Sequence, residues 1–387
     1  MRYSSTIQSL SPSVTLQLSA RAKEMMQSGR DVVSLSAGQP DFPTPAPIVQ
    51  AAIEAIREGR TGYTASSGIP ELRKAVAAVY SARRGLEWTT GNVVVSCGAK
   101  HSLSILIASA INPGDRVLLP RPYWVSYPEM VKAYGGVPVF TAEEGITPRE
   151  IEAAAAQGAV GVMLNYPSNP SGCVPTAGEM REIADAVADS GMWVISDDIY
   201  EDLCYIEGGT PHILDFRPDL KERTAVVSGV SKTYSMTGWR IGYCLCSGEW
   251  ARLAGMLQAH STSNPCSISQ WAALAAVEGK AEEERRDMHR AFLERRDLIC
   301  SLLSAEEYLQ FDRPDGAFYV FAKLTVGGPL DSTAFCSELL DEEGLAIIPG
   351  SAFGAEGYIR ISFAASDDDI REGVKRLGRF LHGRYDT

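Results

Sequence analysis

Lys232 lies in an unusual setting for a lysine side chain. It follows the apolar run TAVVSGV (224–230), stands between two hydroxyl residues, and is followed by a second cation at Arg240. A lysine held by short hydroxyl residues near a strand end can lose its proton and attack a carbonyl group. A lysine at the start of a helix can also simply be solvated, so Lys232 alone does not define an activity.

Candidate residues also follow two other predicted strands. The run MWVISDD (192–198) ends in two carboxylates, Asp197 and Asp198. The run AVGVMLN (159–165) leads into a turn-rich loop that carries Asn169. An acidic residue at the end of an apolar strand can be a buried charge with a cationic partner, or it can cap a helix. Asn169 can equally belong to an ordinary Asn-Pro turn.

Two further motifs are suited to bind anions. After NVVVS (92–96), Gly98 and Ala99 open a predicted helix, where free backbone N–H groups and the helix dipole favour a phosphate. In YIRISFA (358–364), Arg360 lies on one face of an alternating strand and can bind a carboxylate through two hydrogen bonds. Arg360 could instead pair with a local acidic residue.

Together these features meet the requirements of one cofactor, pyridoxal phosphate. That cofactor needs a lysine for its Schiff base, an acidic partner for its pyridine nitrogen and a cradle for its phosphate. Its amino-acid substrates also need a group that binds the carboxylate. Each feature is common by itself, whereas the combination is specific.

The predicted secondary structure places these residues at one edge of a sheet. From about residue 48 to 285, apolar strands alternate with helices, which indicates a mostly parallel sheet covered on both faces. Ligands bind at the carboxyl ends of the strands in such a sheet. After a charged helix at 280–300 the strands become shorter and alternating. We therefore predict a large domain (48–285) and a smaller α+β domain built from residues 1–47 and 286–387.

The composition excludes several classes of function. The formal net charge of −12 argues against a nucleic-acid or membrane-surface partner. No apolar run approaches roughly 18 residues and no signal peptide is recognisable, so no membrane span or secretion is predicted. Eight scattered cysteines and only five histidines, without a metal-binding motif, predict reduced thiols in a cytoplasmic protein and no metal centre.

The motifs resemble those of class I aminotransferases, most closely the bacterial aspartate aminotransferases, some of which also accept prephenate. The likeness runs from about Ser13 to the C-terminus. It implies the type I pyridoxal-phosphate-dependent transferase fold, an α/β fold with a mostly parallel, seven-stranded-type sheet and a smaller α+β domain. The matching motifs, in chain order, are AGQPDF, GYTASSGIPELR, RPYWVSYPEM, NYPSNPSG, SDDIYEDL, SKTYSMTGWRIGY and YIRISFA.

The resemblance implies roles for individual residues. Lys232 would form the internal aldimine and shuttle a proton, Asp197 would keep the pyridine nitrogen protonated, and Tyr200 would bond the phenolic oxygen. The residues expected to bind the cofactor are Gly98, Ala99, Lys100, Trp124, Asn169, Asp197, Tyr200, Ser228, Ser231, Lys232, Arg240 and Tyr63. Those expected to bind the substrate are Gly38, Thr15, Lys100, Trp124, Asn169 and Arg360. Tyr63 would come from the neighbouring subunit, which implies a homodimer with shared active sites.

The resemblance also implies an acidic substrate. In this subgroup a lysine at the position of Lys100 binds the distal carboxylate, so we expect L-aspartate and 2-oxoglutarate to give oxaloacetate and L-glutamate. Lys100 could instead neutralise the phosphate or face water. Departures from the usual pattern remove no catalytic group, but Gln39 and His101 near the expected pocket leave the substrate range open. The remaining departures are Ser168, Ser171 and Asp198.

Three alternatives remain open from the sequence. The substrate could be an aromatic or other amino acid. The enzyme could be a β- or γ-lyase on the same fold, since relatives with the same lysine, aspartate and arginine catalyse elimination. A third hypothesis is a non-enzymatic regulator that senses the cofactor. It is disfavoured because such proteins normally carry an added DNA-binding segment.

Overall fold

The computed structural model describes residues 1–327 and 330–386, and the strands within them form three sheets. The strands are β1 (Val33–Ser34), β2 (Val93–Ser96), β3 (Arg116–Arg121), β4 (Val137–Glu144), β5 (Ala159–Asn165), β6 (Trp193–Asp197), β7 (Thr224–Gly229), β8 (Gly242–Leu245), β9 (Leu309–Phe311), β10 (Tyr319–Leu324), β11 (Leu345–Ala346), β12 (Ile348–Pro349) and β13 (Tyr358–Ser362).

The largest sheet has seven strands in the spatial order β2-β8-β7-β6-β5-β3-β4. Its strands are parallel except β8, which runs antiparallel to both of its neighbours. The registers place Asn165 beside Asp197, and Asp197 beside Val227. The expected mostly parallel α/β sheet is confirmed, and its strand ends bring polar residues from separate segments to one edge.

Helices cover both faces of this sheet and surround the smaller sheets. The α-helices are α1 (Ser5–Gln8), α2 (Val14–Gln27), α3 (Ala46–Arg57), α4 (Pro70–Arg84), α5 (Ala99–Ala110), α6 (Ser126–Ala133), α7 (Pro148–Ala156), α8 (Ala177–Ser190), α9 (Ile213–Phe216), α10 (Gly248–Ser261), α11 (Ser267–Val277), α12 (Glu282–Leu303), α13 (Ser332–Glu343) and α14 (Asp367–Tyr385). Short 3-10 turns occupy Thr90–Asn92, Pro218–Arg223, Thr237–Trp239 and Gly350–Phe353.

The alternation of side chains along each strand builds two hydrophobic cores, one on each face of the large sheet. Within β2, Val93 and Val95 enter the core that α3, α4, α8 and α11 cover, whereas Val94 enters the core beneath α5 and α10. Side chains in a strand point to opposite faces in turn, so a continuous valine run serves both cores.

A third hydrophobic core unites the N-terminal segment with the C-terminal part of the chain. Strand β1 pairs in parallel with β11, and a four-stranded antiparallel sheet has the order β12-β13-β10-β9. Leu18, Leu35 and Phe292 share this core, and so do Ile199 and Tyr200 from the loop after β6. That loop therefore lies between the large sheet and the third core.

The proposed domain boundaries remain a prediction, and residues 328, 329 and 387 of the smaller domain lie outside the described part of the chain. Among the described helices, none combines the length and apolar character needed to cross a membrane.

Candidate active site

A cavity of about 740 Å³ lies at the carboxyl ends of β5 and β6, next to the third core and α2. It brings together most residues that the sequence singled out, although they come from separate segments of the chain. Those in its wall are Thr15, Gly38, Ala99, Lys100, Trp124, Asn169, Asp197, Tyr200, Ser231, Lys232, Arg240 and Arg360.

Three of the expected residues do not line this cavity. Gly98 lies directly behind Ala99 as the N-cap of α5. Ser228 is buried in β7, where its hydroxyl donates to the Asp198 carbonyl oxygen at 3.4 Å. Tyr63 is 94% exposed and lies between α3 and α4, outside the cavity. The single chain therefore does not bring Tyr63 to the site.

Lys232 projects from the turn after β7 into the cavity. Its Nζ donates a hydrogen bond of 2.5 Å to the backbone oxygen of Gly38 and lies 6.0 Å from the centre of the Tyr200 ring. Burial, together with the positive charges of Arg360 and Arg240, lowers the pKa of Lys232 to about 8. About a tenth of the amine is therefore neutral, and nucleophilic, at pH 7, far more than for an exposed lysine.

Asp197 is a buried carboxylate at the end of β6. Its Oδ2 accepts a 2.7 Å hydrogen bond from the Tyr127 hydroxyl, and the Asn165 amide donates to its backbone oxygen. Burial raises the pKa of Asp197 to about 6, against the opposing effect of the Tyr127 hydrogen bond. A cation beside this carboxylate would favour its ionised form.

Arg360 and Asn169 form a second polar unit of the wall. The Nη1 of Arg360 donates to the Asn169 side-chain oxygen and its Nη2 to the Ser36 carbonyl oxygen, each at 3.0 Å. The buried Nε of Arg360 has no hydrogen-bond partner among the described residues. Because a guanidinium carries donors in a fixed fork, Arg360 retains hydrogen-bonding capacity for a carboxylate.

Two cations, Lys100 and Arg240, lie at the N-terminus of α5. Lys100 Nζ lies 4.8 Å from the centre of the Trp124 ring, and burial together with Arg240 lowers the pKa of Lys100. Gly98 has a φ of +87°, and a Cβ atom there would lie 2.6 Å from the Arg240 guanidinium. The glycine thus lets Arg240 approach the free N–H groups of the helix.

The cavity wall carries a large excess of positive charge. Five basic side chains (Lys23, Lys100, Lys232, Arg240 and Arg360) and one carboxylate (Asp197) line it, an excess of four. The whole chain has a formal net charge of −12, so this local excess opposes the overall charge. A ligand with several negative charges is the natural complement of the cavity.

This donor set fits pyridoxal phosphate. Lys232 is a partly neutral amine for an aldehyde, Asp197 is a buried acceptor for a protonated ring nitrogen, and Tyr200 is a phenol next to both. The glycine-dependent cradle formed by the N-terminus of α5 and Arg240 fits a phosphate.

Several residues of the site were missed by the sequence analysis. Asn165 connects two strand ends, since its Oδ1 also accepts from the Asn169 backbone N–H. Its position at the end of β5 was a usable signal, by the same reasoning that identified Asp197. Tyr127, Ser36 and Tyr319 gave no such signal, because only tertiary packing brings them to the cavity.

The structure locates two residues that differ from those usual in the family motifs, Gln39 and Asp198, and also His101. Gln39 lines the cavity and accepts a hydrogen bond from Thr237 at 3.1 Å. His101 follows the cavity-lining Lys100 in α5 but does not itself line the cavity; its Nδ1 accepts from the Cys97 backbone N–H. Asp198 is buried beneath the site and contacts Ser196 and His212.

The chain matches a family model described as aminotransferase class I and II over residues 30–377. It is 40% identical to the aspartate aminotransferase of Geobacillus stearothermophilus, covering 99% of this chain and 100% of that protein. It is 41% identical to the aspartate/prephenate aminotransferase of Cereibacter sphaeroides, covering 98% of each.

The fold is also similar to those of solved aspartate aminotransferase structures. The aspartate aminotransferase from Rhizobium meliloti aligns with a TM-score of 0.92 and 37% identity over 98% of both chains. That of Thermus thermophilus with maleate aligns with a TM-score of 0.93 and 36% identity, over 98% of this chain and 100% of the other.

Proposed function

The chain belongs to the aminotransferase class I and II family of pyridoxal-phosphate-dependent enzymes, and from this premise we propose that it transfers the amino group of L-aspartate to 2-oxoglutarate. The products are oxaloacetate and L-glutamate. The observation that carries the proposal is the excess of three positive charges, from Lys23, Lys100, Arg240 and Arg360 against Asp197, around the partly neutral amine of Lys232. A phosphate and two substrate carboxylates would together balance that excess.

The side chains of the cavity divide the work of this reaction. Pyridoxal phosphate, when bound, supplies an electron-accepting ring that stabilises the charge left when the substrate Cα–H bond breaks. Lys232, once its amine is free, would take the proton from the substrate α-carbon. Asp197 would hold the ring nitrogen protonated, with Tyr127 and Asn165 fixing its position. Tyr200 would donate to the phenolic oxygen.

Binding of the cofactor would involve the opposite end of the cavity. The N–H groups at the start of α5, Ser231 and Arg240 would hold the phosphate, and Trp124 would stack on the ring. Ser228 would act only from behind the wall, because its hydroxyl is bonded to the Asp198 carbonyl.

Substrate recognition would use two cations on different elements. Arg360, supported by Asn169 and the Gly38 backbone, would bind the α-carboxylate. Lys100 and Thr15 would bind the distal carboxylate, which favours aspartate and glutamate over alanine.

We also infer a cytoplasmic homodimer in which Tyr63 of each subunit reaches the phosphate of the other. The exposure of Tyr63 and its position outside the cavity support a role in trans. The cysteines are all free thiols, which suits a reducing compartment.

The visible absorption of the purified protein with pyridoxal phosphate tests the proposed activity. L-Aspartate should remove the cofactor band and 2-oxoglutarate should restore it, with oxaloacetate and L-glutamate as products. A band that does not respond to L-aspartate would contradict the acidic substrate. Release of ammonia and pyruvate would identify a lyase instead.

A further inference from the structure

Tyr319, the first residue of β10, connects the two halves of the proposed active site. It is fully buried in the cavity wall, and its hydroxyl oxygen lies 2.8 Å from that of Tyr200. The Cζ atom of Arg360 lies 4.3 Å from the centre of the Tyr319 ring. A single side chain therefore contacts both the phenol assigned to the cofactor and the guanidinium assigned to the substrate carboxylate.

Tyr200 and Tyr319 together carry two hydroxyl hydrogens, but the hydrogen bond between them uses only one. Burial raises the pKa of both Tyr200 and Tyr319, so each keeps its hydroxyl hydrogen at neutral pH. Each hydroxyl has one hydrogen and can also accept, but only one hydrogen can lie between the two oxygens. Among the described residues, neither oxygen has another hydrogen-bond partner. One hydrogen is therefore free to point into the cavity.

We propose that Tyr319 is a positioning residue that donates its hydrogen to Tyr200, so that Tyr200 directs its own hydrogen at the phenolic oxygen of the cofactor. This inference rests on the proposed function. A hydroxyl that accepts a hydrogen bond becomes a stronger donor, because the two bonds polarise each other. A stronger Tyr200 donor draws negative charge from the phenolic oxygen, and this makes the nearby Lys232 nitrogen less basic.

The packing of Arg360 on the Tyr319 ring explains why a tyrosine suits this position. The ring is held between β13 and the loop after β6, since Tyr319 pairs with Ser362 in the sheet and meets Tyr200 edge-on at 5.9 Å. The hydroxyl is thus fixed by contacts that do not depend on it. Ring and hydroxyl make separable contributions, which two substitutions can distinguish.

Tyr319→Phe removes the hydroxyl and keeps the ring beneath Arg360. In the cofactor-loaded protein, we expect the pKa of the visible absorption change to rise by about 0.5 to 1 unit, the scale of one lost hydrogen bond. The kcat should fall about threefold to tenfold for the same reason. The Kd for maleate, an unreactive dicarboxylate, should change by less than about twofold, because the Arg360 contact remains.

Tyr319→Leu removes the hydroxyl and the aromatic face together. It should reproduce the shift of the absorption pKa and also weaken maleate binding about fivefold to tenfold, because the cation–π contact with Arg360 is lost. A maleate affinity equal to that of Tyr319→Phe would overturn the separation of the two roles.

Tyr205→Phe is the matched control, because the Tyr205 hydroxyl donates to the Ala317 carbonyl oxygen outside the cavity. It should lower the unfolding temperature without moving the absorption pKa. If Tyr319→Phe behaves like this control, the positioning role is wrong while the proposed function stands. If the wild-type protein itself shows no response to L-aspartate, the proposed function fails instead.

Discussion

The nitrogen of Lys232 is the group whose protonation matters most before the cofactor is bound. A protonated lysine has no lone pair for attack on an aldehyde, whereas the neutral amine does. Its pKa of about 8 lies below the ordinary lysine value because of burial and the charges of Arg360 and Arg240. The cavity thus makes this amine reactive at a pH at which exposed lysines are fully charged.

We therefore expect the rate at which the cofactor-free protein captures pyridoxal phosphate to depend on pH. The rate should rise through about pH 8 and level off above it, because the neutral fraction of Lys232 follows that curve. Stopped-flow absorption over a pH series measures the profile. Asp197→Asn should move the midpoint to lower pH, since Asp197 raises the pKa of Lys232. A midpoint near the ordinary lysine value of about 10.4 would contradict the assignment.

Lys100 gives a second prediction at the level of a single side chain. Lys100→Met should raise the KM for L-aspartate about tenfold and leave that for L-alanine unchanged, because only the distal carboxylate loses its cation. Lys100→Arg, which keeps the charge, is the control and should retain most of the preference. Equal losses for both substrates would assign Lys100 to the phosphate instead.

A buried charge network joins α4 to the loop after β6, which carries Tyr200. Arg84 lies 3.4 Å from Glu201, 3.9 Å from Asp198 and 3.1 Å from Asp215, and its side chain is only 8% exposed. His212 Nε2 lies 3.3 Å from Asp198 Oδ2. Asp198 and Glu201 flank Tyr200 in the chain, so this network fixes the loop after β6 from beneath.

Arg84→Met should lower the free energy of unfolding by about 1–3 kcal/mol, because it removes the guanidinium near the buried Asp198 carboxyl, whereas Glu201 keeps its ion pair with Arg83 at 2.6 Å. Denaturant titration measures the change. Arg217→Met is a suitable control, since Arg217 bonds Asp185 and Asp219, which are both more than half exposed. That control should lose far less stability. Similar losses in both variants would show that the Arg84 network is not buried in solution.

At the scale of the whole molecule, the cavity of a single chain lacks Tyr63, the residue that the neighbouring subunit is expected to contribute to the phosphate site. Tyr63 is 94% exposed, and exposed apolar side chains occur nearby on α3, at Ile53 and Ile56. A second subunit that covered this region would bury them and supply Tyr63 in trans.

Mixed dimers test this arrangement. Lys232→Ala and Tyr63→Ala should each be severely impaired alone, the first for lack of the amine and the second for lack of a phosphate contact. Co-expression should restore about a quarter of the wild-type activity, because half of a random dimer mixture has one complete site out of two. A mixture with no more activity than its parents would place Tyr63 in its own subunit's site.

The roles expected of Lys232 and Arg360 came with the resemblance to a known family. The sequence by itself determined the α/β class, the position of Asp197 at the end of β6 and that of Asn169 in the loop after β5. These features depend on local patterns: apolar runs report strands, and parallel strands present their carboxyl ends at one edge. The charged helix predicted at 280–300 is likewise confirmed, at Glu282–Leu303.

Only the tertiary structure decided which neighbours support those residues. Tyr127 reaches Asp197 across 70 positions of the chain, and Tyr319 reaches Tyr200 across 119. The cradle at α5 depends on the close approach of Arg240 to Gly98, and His101 does not line the cavity although its neighbour Lys100 does. Contacts between distant segments arise from the packing of whole elements, and local periodicity carries no information about that packing.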